Sequence, residues 1–80
     1  MYKTSRLYIA AFLALVGCKY TGAELVTAKN RWTVYFCFED AIQAQEFERS
    51  YMNNDVTVAP MDYAHSIQSF KEILHATLTQ

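Results

Sequence analysis

The sequence predicts a small α+β fold in which an antiparallel β-hairpin packs against helices, with the element order α-β-β-α-(β)-α. Three observations predict it. An unbroken apolar run over residues 7–16 ends at a glycine, which is typical of a buried helix. Two runs of alternating apolar and polar residues flank Lys29 and Asn30, as in a hairpin. Two later segments, which follow Asp40 and Pro60, repeat their apolar residues at helical spacing.

The first helix is predicted to begin after Thr4 or Ser5, because either side chain can serve as the N-cap. It is predicted to end at Gly17, because glycine readily takes the left-handed conformation that often ends a helix. Apolar residues lie nearly all round this helix, so we expect other elements to cover most of its surface.

The hairpin is predicted over residues 19–38, with a two-residue turn at Lys29 and Asn30. This turn sets Leu25 opposite Val34, with Ala23 opposite Phe36 and Gly22 opposite Cys37. Alternation places four residues on one face: Trp32, Val34, Phe36 and Phe38. Cys18 then lies several residues beyond Cys37, so no disulfide between them is expected.

The second half of the chain predicts two helices. Asp40 is expected to cap the first of them, with Gln43 completing a capping box, and the helix is expected to stop at Asn53. Residues 55–58 have an extended pattern and are a candidate third edge strand, but the segment is too short for the pattern alone to identify a strand. Pro60 suits the first turn of the last helix. Its apolar stripe is Tyr63, Ile67, Phe70, Leu74 and Leu78.

Length and composition predict one domain over residues 1–80. An apolar content of 52% with 15% aromatic residues excludes a disordered chain. Two cysteines are too few for a disulfide framework and suit the reducing cytoplasm. Because so small a core only just outweighs the chain entropy lost on folding, self-association is the expected support.

Charge is distributed unevenly, since residues 1–38 have five basic residues and one acidic residue, and residues 39–80 have two basic and seven acidic residues. Either the two halves neutralise each other in the fold, or the molecule is polar.

The amino end also resembles a bacterial lipoprotein signal. Lys3 and Arg6 precede the apolar run, and Leu15 to Cys18 stands where a lipobox would lie. In that alternative, residues 1–17 are a signal and the Cys18 thiol is acylated. The ten-residue run is too short to span a bilayer, which favours a buried helix.

One resemblance covers most of the chain. It is carried by Thr4-Ser5-x-Leu7-Tyr8-x-Ala10-Ala11-x-Leu13, Gly17, Phe36-x-Phe38-Glu39-Asp40, Tyr63, Ile67 and Phe70-Lys71. These residues resemble an uncharacterised bacterial and phage family, known only as a domain of unknown function. The resemblance implies a cytoplasmic protein of phage or mobile-element origin. It implies no activity, because its motifs are helix caps and core residues.

No constellation in the sequence predicts catalysis, a metal or a cofactor. His65 and His75 lie ten residues apart without cysteines at ligand spacing, so we interpret them as solvated. Cys37 in mid-strand is interpreted as a small apolar residue rather than a nucleophile. Glu39 and Asp40 stand at a helix start, where capping explains them.

The candidate binding surface is the back of the hairpin. It comprises Lys19, Tyr20, Lys29, Arg31 and Tyr35. Such a face could stack bases and hold phosphates, which makes nucleic acid or a signalling nucleotide the alternative partner. Six tyrosines also suit a protein interface.

We therefore expect a non-enzymatic, cytoplasmic interaction module with no membrane partner. It would act as a phage accessory or inhibitor protein and would form a homodimer through a hairpin edge or an apolar helix face.

Overall fold

A computed structural model describes residues 1–79 and confirms the α+β class. Its elements follow in the order β1 (Tyr2–Thr4), α1 (Leu7–Leu15), β2 (Tyr20–Ala28), β3 (Arg31–Phe38), α2 (Ala41–Met52) and α3 (Pro60–Leu78). The three strands form one antiparallel sheet in the spatial order β1-β3-β2. The helices cover one face of this sheet, and the other face is open. Within the described residues, no helix has both the length and the apolar character needed to cross a membrane.

The hairpin has the predicted register. Leu25 lies opposite Val34 and Ala23 opposite Phe36. At the turn, Lys29 and Asn30 have φ values of 50° and 64°, both in the left-handed region. Two consecutive left-handed residues define the type I′ turn, whose twist matches that of the strands it joins. The length of the turn therefore fixes the pairing of the whole hairpin.

The amino end differs from the prediction. Thr4 is not a helix cap, because it is a buried residue of β1 that lies opposite Phe36 of β3. Nor is Ser5 the cap: Arg6 occupies the N-cap position of α1, and its side chain makes no capping bond. Pairing with the central strand has replaced capping at this end, since β1 gains backbone hydrogen bonds there.

Residues 55–58 do not form the suggested strand, which is a second correction. They have no regular secondary structure and belong to no sheet, and Val56 and Val58 pack against the hydrophobic core. The side of β3 that faces away from β2 is occupied by β1 instead. The third strand thus comes from the amino terminus.

Helix α1 lies at the centre of the core, as its all-round apolar pattern predicts. Its residues 9–13 are all buried. Two side-chain bonds connect it to α3: Tyr63 Oη donates to the Tyr8 carbonyl at 3.0 Å, and Ser66 Oγ donates to the Ala11 carbonyl at 2.7 Å. Both bonds join residues 55 apart in sequence, so α1 and α3 run in the same direction.

Asp40 caps α2 as predicted, since its Oδ1 accepts a hydrogen bond from the Gln43 amide at 3.1 Å. This is one of the two bonds of a capping box. The helix ends at Met52, and Asn54 then takes a left-handed conformation with φ of 59°. The predicted stop at the two asparagines is therefore confirmed.

Candidate functional site

Tyr20 does not lie on the back of the hairpin, which corrects one member of the predicted binding surface. The register of β2 shifts by a bulge between Tyr20 and Gly22, where Gly22 has φ of 143°. The extra residue turns the Tyr20 side chain to the core face. Its ring centroid lies 5.6 Å from that of Phe38 and 5.2 Å from that of Phe70. Burial raises the pKa of its hydroxyl. Tyr20 is a packing residue.

The basic members of the predicted surface lie at two ends of the hairpin. Lys19 precedes β2, and its Nζ lies 3.1 Å from a carboxylate oxygen of Glu39. Lys29 and Arg31 lie at the opposite end, in and beside the turn. Tyr35 lies between these ends, half-buried and opposite Glu24. The five residues are therefore not one continuous surface.

The centre of the open sheet face is an ion pair that spans the central strand. Lys3 of β1 and Glu24 of β2 reach across β3, and the Lys3 Nζ lies 2.8 Å from Glu24 Oε2. Hydrogen bonding to Lys3 lowers the pKa of Glu24, and the same bond raises the pKa of Lys3. Sequence reasoning missed this pair because it did not predict β1.

Cys37 lies beneath this ion pair. Its Sγ is 3.9 Å from Glu24 Oε2, and the residue is buried. Burial, together with the nearby Glu24 carboxylate, raises the pKa of the thiol. Burial also raises the pKa of Cys18. Both cysteines are free thiols, and a raised pKa disfavours the thiolate that nucleophilic or metal chemistry requires.

A shallow groove of about 480 Å³ separates β1 from the end of α2. The Tyr2 hydroxyl donates to Glu48 on one wall, and burial followed by this bond raises the Tyr2 pKa. Arg6 Nη1 lies 3.9 Å from the Met52 sulfur on the other wall. Tyr35 also lines the groove. The charged residues that line the groove are Lys3, Arg6 and Glu48. Because Lys3 is already paired with Glu24, the groove keeps no excess of either charge for a phosphate or a metal.

No metal centre is organised in residues 1–79, where no three His, Cys, Asp or Glu side chains converge. His65 and His75 are both exposed on α3.

The outer edge of β2 is open. The sheet order ends with β2, so no strand pairs with its outer side. None of the other backbone hydrogen bonds found in residues 1–79 involves residues 21–28. In a hairpin with a two-residue turn, the pair next to the turn exchanges both backbone bonds, and the pattern alternates from there. Ala28, Val26 and Glu24 therefore direct their backbone groups to β3.

The remaining residues of the strand direct theirs outward. These are Ala23, Leu25 and Thr27, whose amide and carbonyl groups point away from β3. Natural sheets protect such an edge with lysine, proline, a bulge or a covering element. Here the bulge at Gly22 ends the edge on one side and the turn ends it on the other, but Ala23 to Ala28 contains neither lysine nor proline.

Comparison with protein-family profiles, with curated proteins and with solved structures found no match. The resemblance to a phage and bacterial family therefore stays a prediction from the sequence.

Proposed function

We propose that the chain is a small non-enzymatic interaction module, which acts by protein contact and associates with a second copy through the free edge of β2. The observation that carries this proposal is the row of outward backbone groups on Ala23, Leu25 and Thr27. Unpaired backbone donors and acceptors are a template for another strand, and main-chain bonds give such contacts their affinity.

Size and composition support the same proposal. A chain of eighty residues has a small core, so an added strand would stabilise it by satisfying backbone groups and covering apolar surface. The groove beside β1 and the two buried thiols supply no comparable set of groups for chemistry. The more specific interpretation, a cytoplasmic accessory or inhibitor protein of a phage or mobile element, rests on the family resemblance alone.

Replacement of Thr27 tests the proposed edge. The Thr27→Pro substitution removes an outward amide without removing a hairpin bond, and proline is tolerated at such an edge position. In a twofold dimer two hydrogen bonds are lost, about 1–3 kcal/mol together. We therefore expect the dimer Kd measured by light scattering to rise roughly 5- to 150-fold.

Thr27→Val is the matched control, because it keeps the amide and the strand preference of a β-branched residue. It should dimerise like the unaltered chain, and circular dichroism should show the same fold in both variants. If the proline and valine variants dimerise equally well, the β2 edge is not the interface.

A further inference from the structure

The usable edge of β2 has a defined length and a centre. The bulge at Gly22 ends it on one side and the turn residue Lys29 ends it on the other. Three residues between these limits direct backbone groups outward: Ala23, Leu25 and Thr27. They are evenly spaced, with Leu25 in the middle.

Such an edge is complementary to itself. When two copies meet in antiparallel fashion about a twofold axis at Leu25, Leu25 lies opposite the partner's Leu25, and Ala23 lies opposite the partner's Thr27. Each of these residue pairs exchanges two backbone hydrogen bonds. No outward group between the bulge and the turn is left unpaired.

Charge selects the same register. Residues directly opposite each other in an antiparallel pair share a face of the sheet. The twofold axis at Leu25 sets Glu24 opposite the partner's Val26 on the open face, where Val26 is 37% exposed. An axis at Glu24 would set two carboxylates against each other, which is destabilising. Axes at Ala23, Val26 or Thr27 would leave outward groups unpaired.

We propose that a second copy of the chain adds to β2 in this register, with the twofold axis at Leu25, giving one continuous sheet in the order β1-β3-β2-β2-β3-β1. This inference rests on the proposed function, which names the edge but not the register. Because the axis is perpendicular to the sheet, both copies of α3 lie on the same face of the joined sheet. Glu24 of each copy lies between its own Lys3 and the partner's Val26.

A pair of charge variants at Val26 tests the register. Val26→Lys sets an ammonium opposite the partner's Glu24, whereas Val26→Glu sets a like charge there. Both side chains stand at the same exposed position, so each variant is the control for the other. Since each dimer contains two such contacts, we expect the Kd of the glutamate variant to exceed that of the lysine variant by at least about tenfold at low salt. The Kd is measured by light scattering over a concentration series, with thermal melts of both variants showing that the fold is kept.

The outcomes separate the register from the edge itself. A dimer of the unaltered chain with a clear difference between the two variants supports the register. A dimer with equal Kd values for both variants overturns the register and leaves self-association standing. A single-copy mass for the unaltered chain at all concentrations overturns both.

Discussion

At the scale of single residues, Phe70 holds the helical layer to the sheet. Its ring centroid lies 5.2 Å from Tyr20, 5.2 Å from Phe36 and 6.5 Å from Phe38, and the residue is 5% exposed. Tyr20 and Phe36 meet it edge-on, which is a favoured arrangement of aromatic rings. Because these rings come from β2, β3 and α3, one side chain joins three elements.

We expect Phe70→Ala to lower the free energy of unfolding by about 3–5 kcal/mol, since it removes a buried ring and leaves a cavity. Trp32→Ala is the control: Trp32 is also aromatic and lies on the same sheet face, but it is 65% exposed near the turn, so its loss should cost roughly 0.5 kcal/mol or less. Urea unfolding measures both. If Phe70→Ala unfolds the chain outright, Phe70→Leu supplies the intermediate value. Equal losses at the two positions would contradict the role given to Phe70.

Residue-level prediction succeeded where periodicity alone decides the outcome. Val34, Phe36 and Phe38 are buried as period-two alternation predicts. Tyr20 failed because the bulge adds a residue between it and the rest of β2, which inverts the face. Gly22 was the available signal, since a glycine inside a strand pattern often marks a bulge.

At the scale of elements, the start of α2 depends on Asp40. Its carboxylate satisfies the Gln43 amide, one of the backbone donors that a helix start leaves free. We expect Asp40→Ala to lower the free energy of unfolding by about 1 kcal/mol. Glu39→Ala, next to it, removes only an exposed ion pair with Lys19 and should change stability by less than about 0.5 kcal/mol. Thermal unfolding compares the two variants, and a larger loss for Glu39→Ala would show that the cap is not what stabilises this end.

Elements whose signals are local could be predicted, and elements set by distant partners could not. The hairpin register follows from a two-residue turn, and α2 follows from its cap and its asparagine stop. Strand β1 has only three residues, which is too short for alternation to be recognised, and it exists because β3 offers it a pairing edge. Residues 55–58 form no strand, because Val56 and Val58 pack against the hydrophobic core and the segment pairs with no sheet edge.

At the scale of the whole molecule, α1 is the inner support on which α2 and α3 pack. Phe12 contacts Phe47 and Tyr51 of α2, with ring centroids 6.4 and 5.2 Å apart. Cleavage before Cys18 would remove β1 and α1, together with the buried residues 9–13. The lipoprotein alternative therefore requires a different core from the one described here.

The candidate site could be predicted only in part. A free hairpin edge follows from a two-stranded ribbon, but which edge stays free depends on where β1 joins the sheet. The five-residue basic and aromatic surface required Tyr20 and Tyr35 to share a face, and the bulge between Tyr20 and Gly22 places them on opposite faces. Both the free edge and the face of Tyr20 depend on how the strands pair, and a single sequence does not show that pairing.

Amide hydrogen exchange resolved by residue, measured below and above the dimer Kd, tests the central claim most directly. At low concentration the amides of Ala23, Leu25 and Thr27 should exchange rapidly, while those of Glu24, Val26 and Ala28 are protected by β3. At high concentration the first three should become protected as well. Protection of all six at low concentration, or no change with concentration, would contradict a β2 edge that is free in one copy and paired between two.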